Sequence, residues 1–75
     1  MTTFLTLYGT EHCHLCEHAQ ALLAQAGLEW HNVDIAESDV LLERYGTRIP
    51  VLRHDNGKEL NWPFKHEDVW RLASD

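Results

Sequence analysis

The first half of the chain changes from a strand-like to a helix-like spacing of apolar residues. Residues 3–8 read T-F-L-T-L-Y, a β-rich run with apolar side chains on both sides, so they predict a strand that is covered on both faces. Gly9 ends this run. The helical spacing of residues 13–26 predicts an apolar stripe made of Leu15, Ala19, Leu22, Leu23 and Ala26. Gly27 then stands where a helix commonly ends.

The second half alternates short apolar runs with turn residues. These runs predict a strand at 28–35, a helix at 37–45, two paired strands at 50–54 and 58–62, and a last helix at 67–73. The Asn56-Gly57 pair lies between the paired strands and predicts a hairpin turn with positive φ at both central positions.

The predicted order of elements is β-α-β-α-β-β-α. A strand–helix–strand crossover is right-handed and joins parallel strands, whereas the hairpin is antiparallel. We therefore predict an α/β fold with a mixed four-stranded sheet and helices on its faces. With 75 residues, the chain has room for one core, so we expect residues 1–75 to form a single domain.

Composition narrows the classes of partner. The net charge is −6 and the pI is about 5.3, which argues against nucleic acids and anionic membrane surfaces. No apolar run approaches the roughly 20 residues of a membrane span. The first residues, M-T-T-F-L-T-L-Y-G, lack the basic and long apolar regions of a secretion signal. We expect a monomeric, cytoplasmic protein with no membrane or nucleic-acid partner.

The candidate chemistry lies in H-C-H-L-C-E-H, residues 12–18, which contain both cysteines of the chain. A disulfide across so short a loop would contribute only about 2 kcal/mol, so a purely structural bridge is a weak explanation. Cys13 falls where the first strand gives way to the first helix. A helix N-terminus favours an anion, and cysteines there have pKa values lowered to roughly 3.5–7.5.

This placement predicts a working thiol pair. Cys13 would be the nucleophile, because only the thiolate attacks a disulfide. Cys16, one turn further into the helix, would then resolve the mixed disulfide. His12 directly precedes the nucleophile and, if protonated, would favour the thiolate, whereas Glu11 and Glu17 would oppose it.

Two other classes of function remain open. A zinc site is one, with ligands drawn from the local cluster of Cys13, Cys16, His18 and either His12 or His14. Structural zinc sites more often take ligand pairs from two distant segments, and no second pair exists here. The other class is a non-catalytic binding module on the same fold, since fold does not fix function.

Nearly the full length of the chain resembles a glutaredoxin-like protein of the thioredoxin superfamily. The resemblance rests on C-H-L-C at 13–16, on Arg48-Ile49-Pro50, and on N-W-P-F at 61–64, which is similar to a branch of short bacterial glutaredoxin-like proteins. It implies a cis bond before Pro50, a proline that faces the cysteine pair. It also implies that the backbone of Ile49 is free to pair with a substrate, and it brings Trp62 to the substrate groove.

The chain also departs from the better-known glutaredoxins. Thr10 stands where they carry a glutathione-binding lysine, and residues 61–65 replace their Gly-Gly pair and acidic residue. We take Arg48 as the candidate for the positively charged side chain that would bind glutathione in place of this lysine. The resemblance implies a thiol–disulfide oxidoreductase that acts on protein or glutathione mixed disulfides. We expect no metal or organic cofactor, with glutathione a candidate co-substrate.

Overall fold

The computed structural model describes residues 4–74 and places four strands in one mixed sheet of order β2-β1-β3-β4. The strands are β1 (Leu5–Gly9), β2 (His31–Asp34), β3 (Val51–His54) and β4 (Glu59–Asn61). The helices are α1 (His14–Gln25), α2 (Asp39–Tyr45) and α3 (His66–Ala73), with a single 3-10 turn at Ile35–Glu37. The predicted fold class is confirmed. Thr3, at the start of the first predicted strand, lies outside the described residues.

Strand β1 lies inside the sheet because both of its edges are paired. It runs parallel to β2, with Gly9 opposite Asp34, and antiparallel to β3, with Leu7 opposite Leu52. Strands β3 and β4 form the predicted antiparallel hairpin. The parallel pairing brings the carboxyl ends of β1 and β2 to the same edge of the sheet, and this edge carries the cysteine pair.

The core has two parts because successive residues of a strand point to opposite faces. Val51 and Leu52 are adjacent in β3 and enter different clusters. The larger cluster joins the sheet to α1 and α3 and contains Leu5, Leu7, Ala19, Leu23, Leu52, Phe64, Val69 and Leu72. The smaller cluster joins it to α2 and contains Ile35, Tyr45 and Val51.

The predicted apolar stripe of α1 is confirmed except at its first position, because Ala19, Leu23 and Ala26 are buried and Leu22 packs against the core. Leu15 is 50% exposed, whereas Cys16 is only 2% exposed. The buried positions of the helix region are Cys16, Ala19, Leu23 and Ala26, spaced by three, four and three residues, as one helix face requires. The small sulfur side chain takes the inward position, and the larger leucine next to it faces solvent.

Helices α2 and α3 both carry large apolar side chains that face solvent. Val40 and Leu42 are 71% and 43% exposed, and Tyr45 is the buried residue of α2. Ser38 caps this helix by accepting a hydrogen bond from the Leu41 N–H. Trp70 of α3 is 52% exposed.

Strand β2 is shorter than predicted at both ends. Gly27 has φ of +74° after α1, and the Leu28 N–H still bonds back to the Leu23 carbonyl. Residues 28–30 therefore form a connection, and β2 begins at His31. At the other end, the Asp34 side chain accepts a hydrogen bond from the Ala36 N–H and starts the 3-10 turn.

The hairpin turn differs from the predicted type. Among the described residues that are not glycine, only His12 has a positive φ, so Asn56 does not adopt the predicted conformation. The Gly57 N–H donates to the His54 carbonyl at 2.9 Å, and Gly57 itself has φ of +96°. This geometry is a β-turn followed by a left-handed glycine, which closes three-residue hairpin loops.

Candidate active site: the cysteine pair and the cleft beside it

Cys13 is the N-cap residue of α1. Its backbone is extended, with φ of −109° and ψ of 104°, and its Sγ accepts a hydrogen bond from the Cys16 N–H at 3.1 Å. The Cys13 carbonyl accepts the N–H of Glu17, which begins the helical hydrogen bonding. The sulfur therefore occupies the place of a capping oxygen, where unpaired helix N–H groups favour negative charge.

The two cysteines are joined in a disulfide, with a Cα–Cα distance of 5.2 Å. They differ in exposure: Cys13 is half-buried, whereas Cys16 is only 2% exposed. A substrate can therefore approach Cys13, while Cys16 is shielded by the protein. This asymmetry matches the predicted division into an attacking and a resolving thiol, although the roles themselves stay a prediction.

Gly9 is a site residue that the sequence analysis treated only as the end of a strand. A Cβ added to Gly9 would lie 2.9 Å from the Cys16 Sγ and 3.3 Å from the Cys16 Cβ. Both distances are shorter than ordinary carbon contacts. The missing side chain at the end of β1 thus makes room for the buried cysteine.

A cleft of about 720 Å³ opens beside the pair. Its walls come from the end of β1, the 10–13 loop, the first turns of α1, the end of β2 and the 3-10 turn, and they include Glu11, Glu17, Asp34 and Glu37. His12 also lines the cleft, with its backbone in the left-handed region at φ of +59°. None of the lining residues is lysine or arginine.

Pro50 follows a cis peptide bond, as the resemblance implied, and is buried. The Trp62 N–H donates to the Pro50 carbonyl at 3.3 Å, so the structure brings these two predicted residues together. Neither of them lines the cleft beside the cysteines. Trp62 also precedes a second cis proline, Pro63, and its ring packs edge-on against Phe64 at 5.0 Å.

The expectation of a free backbone at Ile49 is wrong for its N–H. That group donates to the Tyr45 carbonyl at 3.2 Å, next to a bond from the Arg48 N–H to the same carbonyl at 2.8 Å. Both N–H groups are therefore already hydrogen-bonded within the turn after α2. The Ile49 side chain is half-buried and packs against the smaller core cluster.

Arg48 is held by other side chains. Its Nη2 lies 3.1 Å from both the Glu59 Oε1 and the Asn61 Oδ1, and its guanidinium lies 5.3 Å from the centre of the Tyr45 ring. Glu59 also accepts the Tyr45 hydroxyl at 2.6 Å and the Arg53 Nη1 at 3.1 Å. Arg48 therefore belongs to a polar network on β4 and does not line the cleft.

This network shifts three pKa values, and it raises that of Arg53 through hydrogen bonds to Glu59 and Tyr45. Burial acts to raise the pKa of Glu59, but hydrogen bonds from Tyr45, Arg48 and Arg53 outweigh it and hold that pKa below its ordinary value. Burial, and then the hydrogen bond to the Glu59 carboxylate, raise the pKa of Tyr45. The carboxylate is thus ionised and well satisfied at neutral pH.

The histidines beside the cysteines are the remaining candidate ligands of the predicted alternative zinc site. Over residues 4–74, no three His, Cys, Asp or Glu side chains are grouped so that they could hold a metal ion. His14 instead lies 3.5 Å from the Glu17 carboxylate, and both side chains are largely exposed. Over the same residues, no helix is long and apolar enough to cross a membrane.

Residues 4–72 match the family described as Glutaredoxin-like domain (DUF836). The X-ray structure of XcR50 from X. campestris is 41% identical, with a TM-score of 0.86, and the alignment covers 93% of this chain and 95% of that one. Ne2328 from Nitrosomonas europaea is 27% identical, with a TM-score of 0.71 and coverages of 96% and 92%. Wheat glutaredoxin, at 13% identity, shares the fold with a TM-score of 0.61 and coverages of 99% and 74%. No curated protein matches the sequence.

Proposed function

Because this chain belongs to the Glutaredoxin-like (DUF836) family, we propose that it is a thiol–disulfide oxidoreductase that reduces protein or glutathione mixed disulfides. One observation carries the proposal. Cys13 caps the N-terminus of α1, is half-buried at a cleft, and is bonded to the buried Cys16. An accessible sulfur in an anion-favouring position, paired with a shielded one, is the arrangement that dithiol exchange needs.

The proposed reaction proceeds in two exchanges. In the reduced protein, the Cys13 thiolate attacks one sulfur of the substrate disulfide, whose S–S bond breaks. One substrate thiolate leaves and takes up a proton, while the other half stays bound to Cys13. Cys16, deprotonated in turn, attacks the Cys13 sulfur and releases the second substrate thiol. Two electrons pass to the substrate, and the protein ends with the Cys13–Cys16 disulfide.

A thiol reductant must then return the protein to its dithiol form. Glutathione and a protein dithiol are the two candidates, and the reaction needs no metal or organic cofactor. Reduction of substrates suits a compartment that keeps thiols reduced, and we therefore propose that the protein acts in the cytoplasm. We also propose that it acts as a monomer.

The remaining predicted residues keep narrower roles in this proposal. Pro50 and Trp62, joined by a hydrogen bond, shape the substrate groove together with Ile49, whose N–H is already bonded to the Tyr45 carbonyl. His12 lines the cleft next to Cys13 and favours the thiolate when it is protonated. If Arg48→Ala leaves glutathione exchange unchanged, Arg48 has no part in substrate binding.

The test is the pH dependence of alkylation at each cysteine in reduced protein, with the two sites separated by mass spectrometry. We expect Cys13 to react far faster than Cys16, with a midpoint well below the unperturbed value of about 8.5. In Cys16→Ala, a disulfide substrate should remain trapped on Cys13, and Cys13→Ser is the matched control that traps nothing. Slow and equal alkylation near the unperturbed value would instead favour a non-catalytic binding module.

A further inference from the structure

The charged side chains that line the cleft beside Cys13 are almost all negative. Four carboxylates line it: Glu11 comes from the loop before α1, Glu17 from the first turn of α1, Asp34 from the end of β2, and Glu37 from the 3-10 turn. His12 is the one other titratable side chain of the lining besides the cysteines. Cys13 lines the same cleft, so a substrate disulfide that reaches its sulfur lies beside this negative charge.

The carboxylates converge because of the parallel pairing of β1 and β2. Gly9 lies opposite Asp34, so the loop that carries Cys13 and the turn that carries Glu37 leave the sheet at the same edge. The Asp34 carboxylate accepts the Ala36 N–H at 2.9 Å, which holds it at the start of the 3-10 turn. The acidic groups are thus built into the wall of the reactive site.

The arginines around strand β4 do not offset this charge within the cleft. Arg48 and Arg53 each form an ion pair with Glu59 at 3.1 Å, and neither lines the cleft. A cleft lined by charges of one sign concentrates ligands of the opposite sign and repels ligands of the same sign. Glutathione disulfide has more carboxylates than ammonium groups, so it is of the repelled class.

We propose that the acidic cleft makes this protein selective for peptide or protein disulfides whose cysteines are flanked by lysine or arginine, and that it disfavours glutathione disulfide. This inference rests on the proposed function, because it assigns a substrate class to the same Cys13 chemistry. Glu11 and Glu37 are its specificity-determining residues. Neither is part of the cysteine pair or of α1 (His14–Gln25).

The experiment uses three symmetric disulfides of one short capped cysteine peptide, in which the residues on both sides of the cysteine are lysine, glutamine or glutamate. The rate constant for oxidation of the reduced protein by each disulfide is divided by that of 2-mercaptoethanol, an uncharged thiol, with the same disulfide. This division removes differences in the intrinsic reactivity of the three peptides. Glutathione disulfide is measured in the same way.

We expect the normalised rate constant for the lysine peptide to exceed that for the glutamate peptide by about tenfold or more at low salt. The ratio should shrink as the Debye length falls from about 30 Å at 0.01 M salt to about 3 Å at 1 M. Glutathione disulfide should rank with the glutamate peptide.

The variant Glu11→Gln/Glu37→Gln should reduce the lysine-to-glutamate ratio by about threefold or more, because two nearby charges are removed. The matched control is Glu43→Gln, which removes an exposed carboxylate of α2 outside the cleft and should leave the ratio unchanged. A ratio, unlike a single rate, is not moved by a general change in the reactivity of Cys13.

The outcomes separate the inference from the function on which it rests. Exchange at Cys13 with equal normalised rates for all three peptides would overturn the substrate class and leave the oxidoreductase proposal standing. A lysine preference that the double variant does not reduce would overturn the assignment to the cleft. No exchange with any of the disulfides would overturn both proposals.

Discussion

Replacing Gly9 with alanine tests how closely the end of β1 packs against the buried Cys16. The added Cβ would lie 2.9 Å from the Cys16 Sγ and 3.3 Å from its Cβ. An ordinary contact lies between 3.4 and 4 Å, so either the strand end or α1 must move apart by roughly half an ångström or more. The sheet fixes the position of the new Cβ, and the Cys16 side chain lies on the buried face of α1.

Two effects of opposite sign decide the size of the change. Overpacking a well-packed core costs about 1–3 kcal/mol. Alanine also restricts the unfolded chain, which stabilises a protein by about 0.4–1 kcal/mol where the native backbone suits it. Gly9 is not among the glycines with positive φ, so this gain applies. We therefore expect Gly9→Ala to lower the free energy of unfolding by about 1–2 kcal/mol. In a domain of this size, each kcal/mol lowers Tm by about 4–8 °C.

The assay is a double-mutant cycle of Gly9→Ala and Cys16→Ala, measured by urea unfolding with reductant present in all four proteins. Removing the sulfur removes the 2.9 Å contact and leaves only the 3.3 Å contact. Gly9→Ala should consequently cost less in the Cys16→Ala background, with a coupling of about 0.5–1 kcal/mol or more.

Gly27→Ala is the matched control for this cycle. A Cβ at Gly27 meets no atom within 4 Å, but the residue has φ of +74°. Its replacement should cost about 1–2 kcal/mol through backbone strain alone, and that cost should be the same with or without the Cys16 sulfur. An equal cost of Gly9→Ala in both backgrounds would refute the packing argument.

Two further predictions concern the network around Glu59 and the stripe of α1. The pKa of Glu59 is lowered in the folded protein, so its ionised form contributes stability above the unfolded pKa, and this contribution is lost as pH falls through the folded pKa. We therefore expect the free energy of unfolding, measured with urea between pH 7 and pH 3, to fall less for Glu59→Gln than for the wild type. The same fall in both proteins would contradict the role given to the network. On α1, Leu23→Ala should cost about 2–5 kcal/mol, because Leu23 is fully buried. Leu15→Ala should cost about 0.5 kcal/mol or less, because Leu15 is 50% exposed; equal losses in thermal unfolding would mean that the stripe passes through Leu15 after all.

The order of elements was predictable because local signals agreed with the final fold. Alternation around Leu5 and Leu7, helical spacing up to Ala26 and the glycine at 27 all point to the same β1–α1 unit, and the structure has it. The position of Cys13 at the junction follows from those signals alone. The first buried position of the stripe did not, because a hydrophobicity pattern ranks Leu15 above Cys16, whereas packing against Gly9 favours the smaller side chain.

The acidic cleft could be predicted only in part. Glu11 and Glu17 are neighbours of the cysteines in sequence, and their charge was visible from the start. Asp34 and Glu37 are distant in sequence, and they join the site through the register that pairs Gly9 with Asp34. When a strand boundary is predicted wrongly by a few residues, as for the predicted strand at 28–35, the residues that meet at its end cannot be identified from the sequence. The network of Arg48 with Glu59 and Asn61 escaped prediction for the same reason, since it depends on where β4 lies.

Cys16 has a place in the core and a proposed role as the resolving thiol, and the two constrain each other. Its 2% exposure makes it part of the core, whereas resolution of a mixed disulfide requires it to reach the Cys13 sulfur. The helix meets both demands, because residues three apart lie on neighbouring positions of one face and the two Cα atoms are 5.2 Å apart. A serine at this position would bury a hydroxyl that needs a partner, at a cost of about 1–3 kcal/mol. Alanine removes the thiol without adding a polar group, and for this reason a trapping experiment with Cys16→Ala reports on chemistry more cleanly than one with Cys16→Ser.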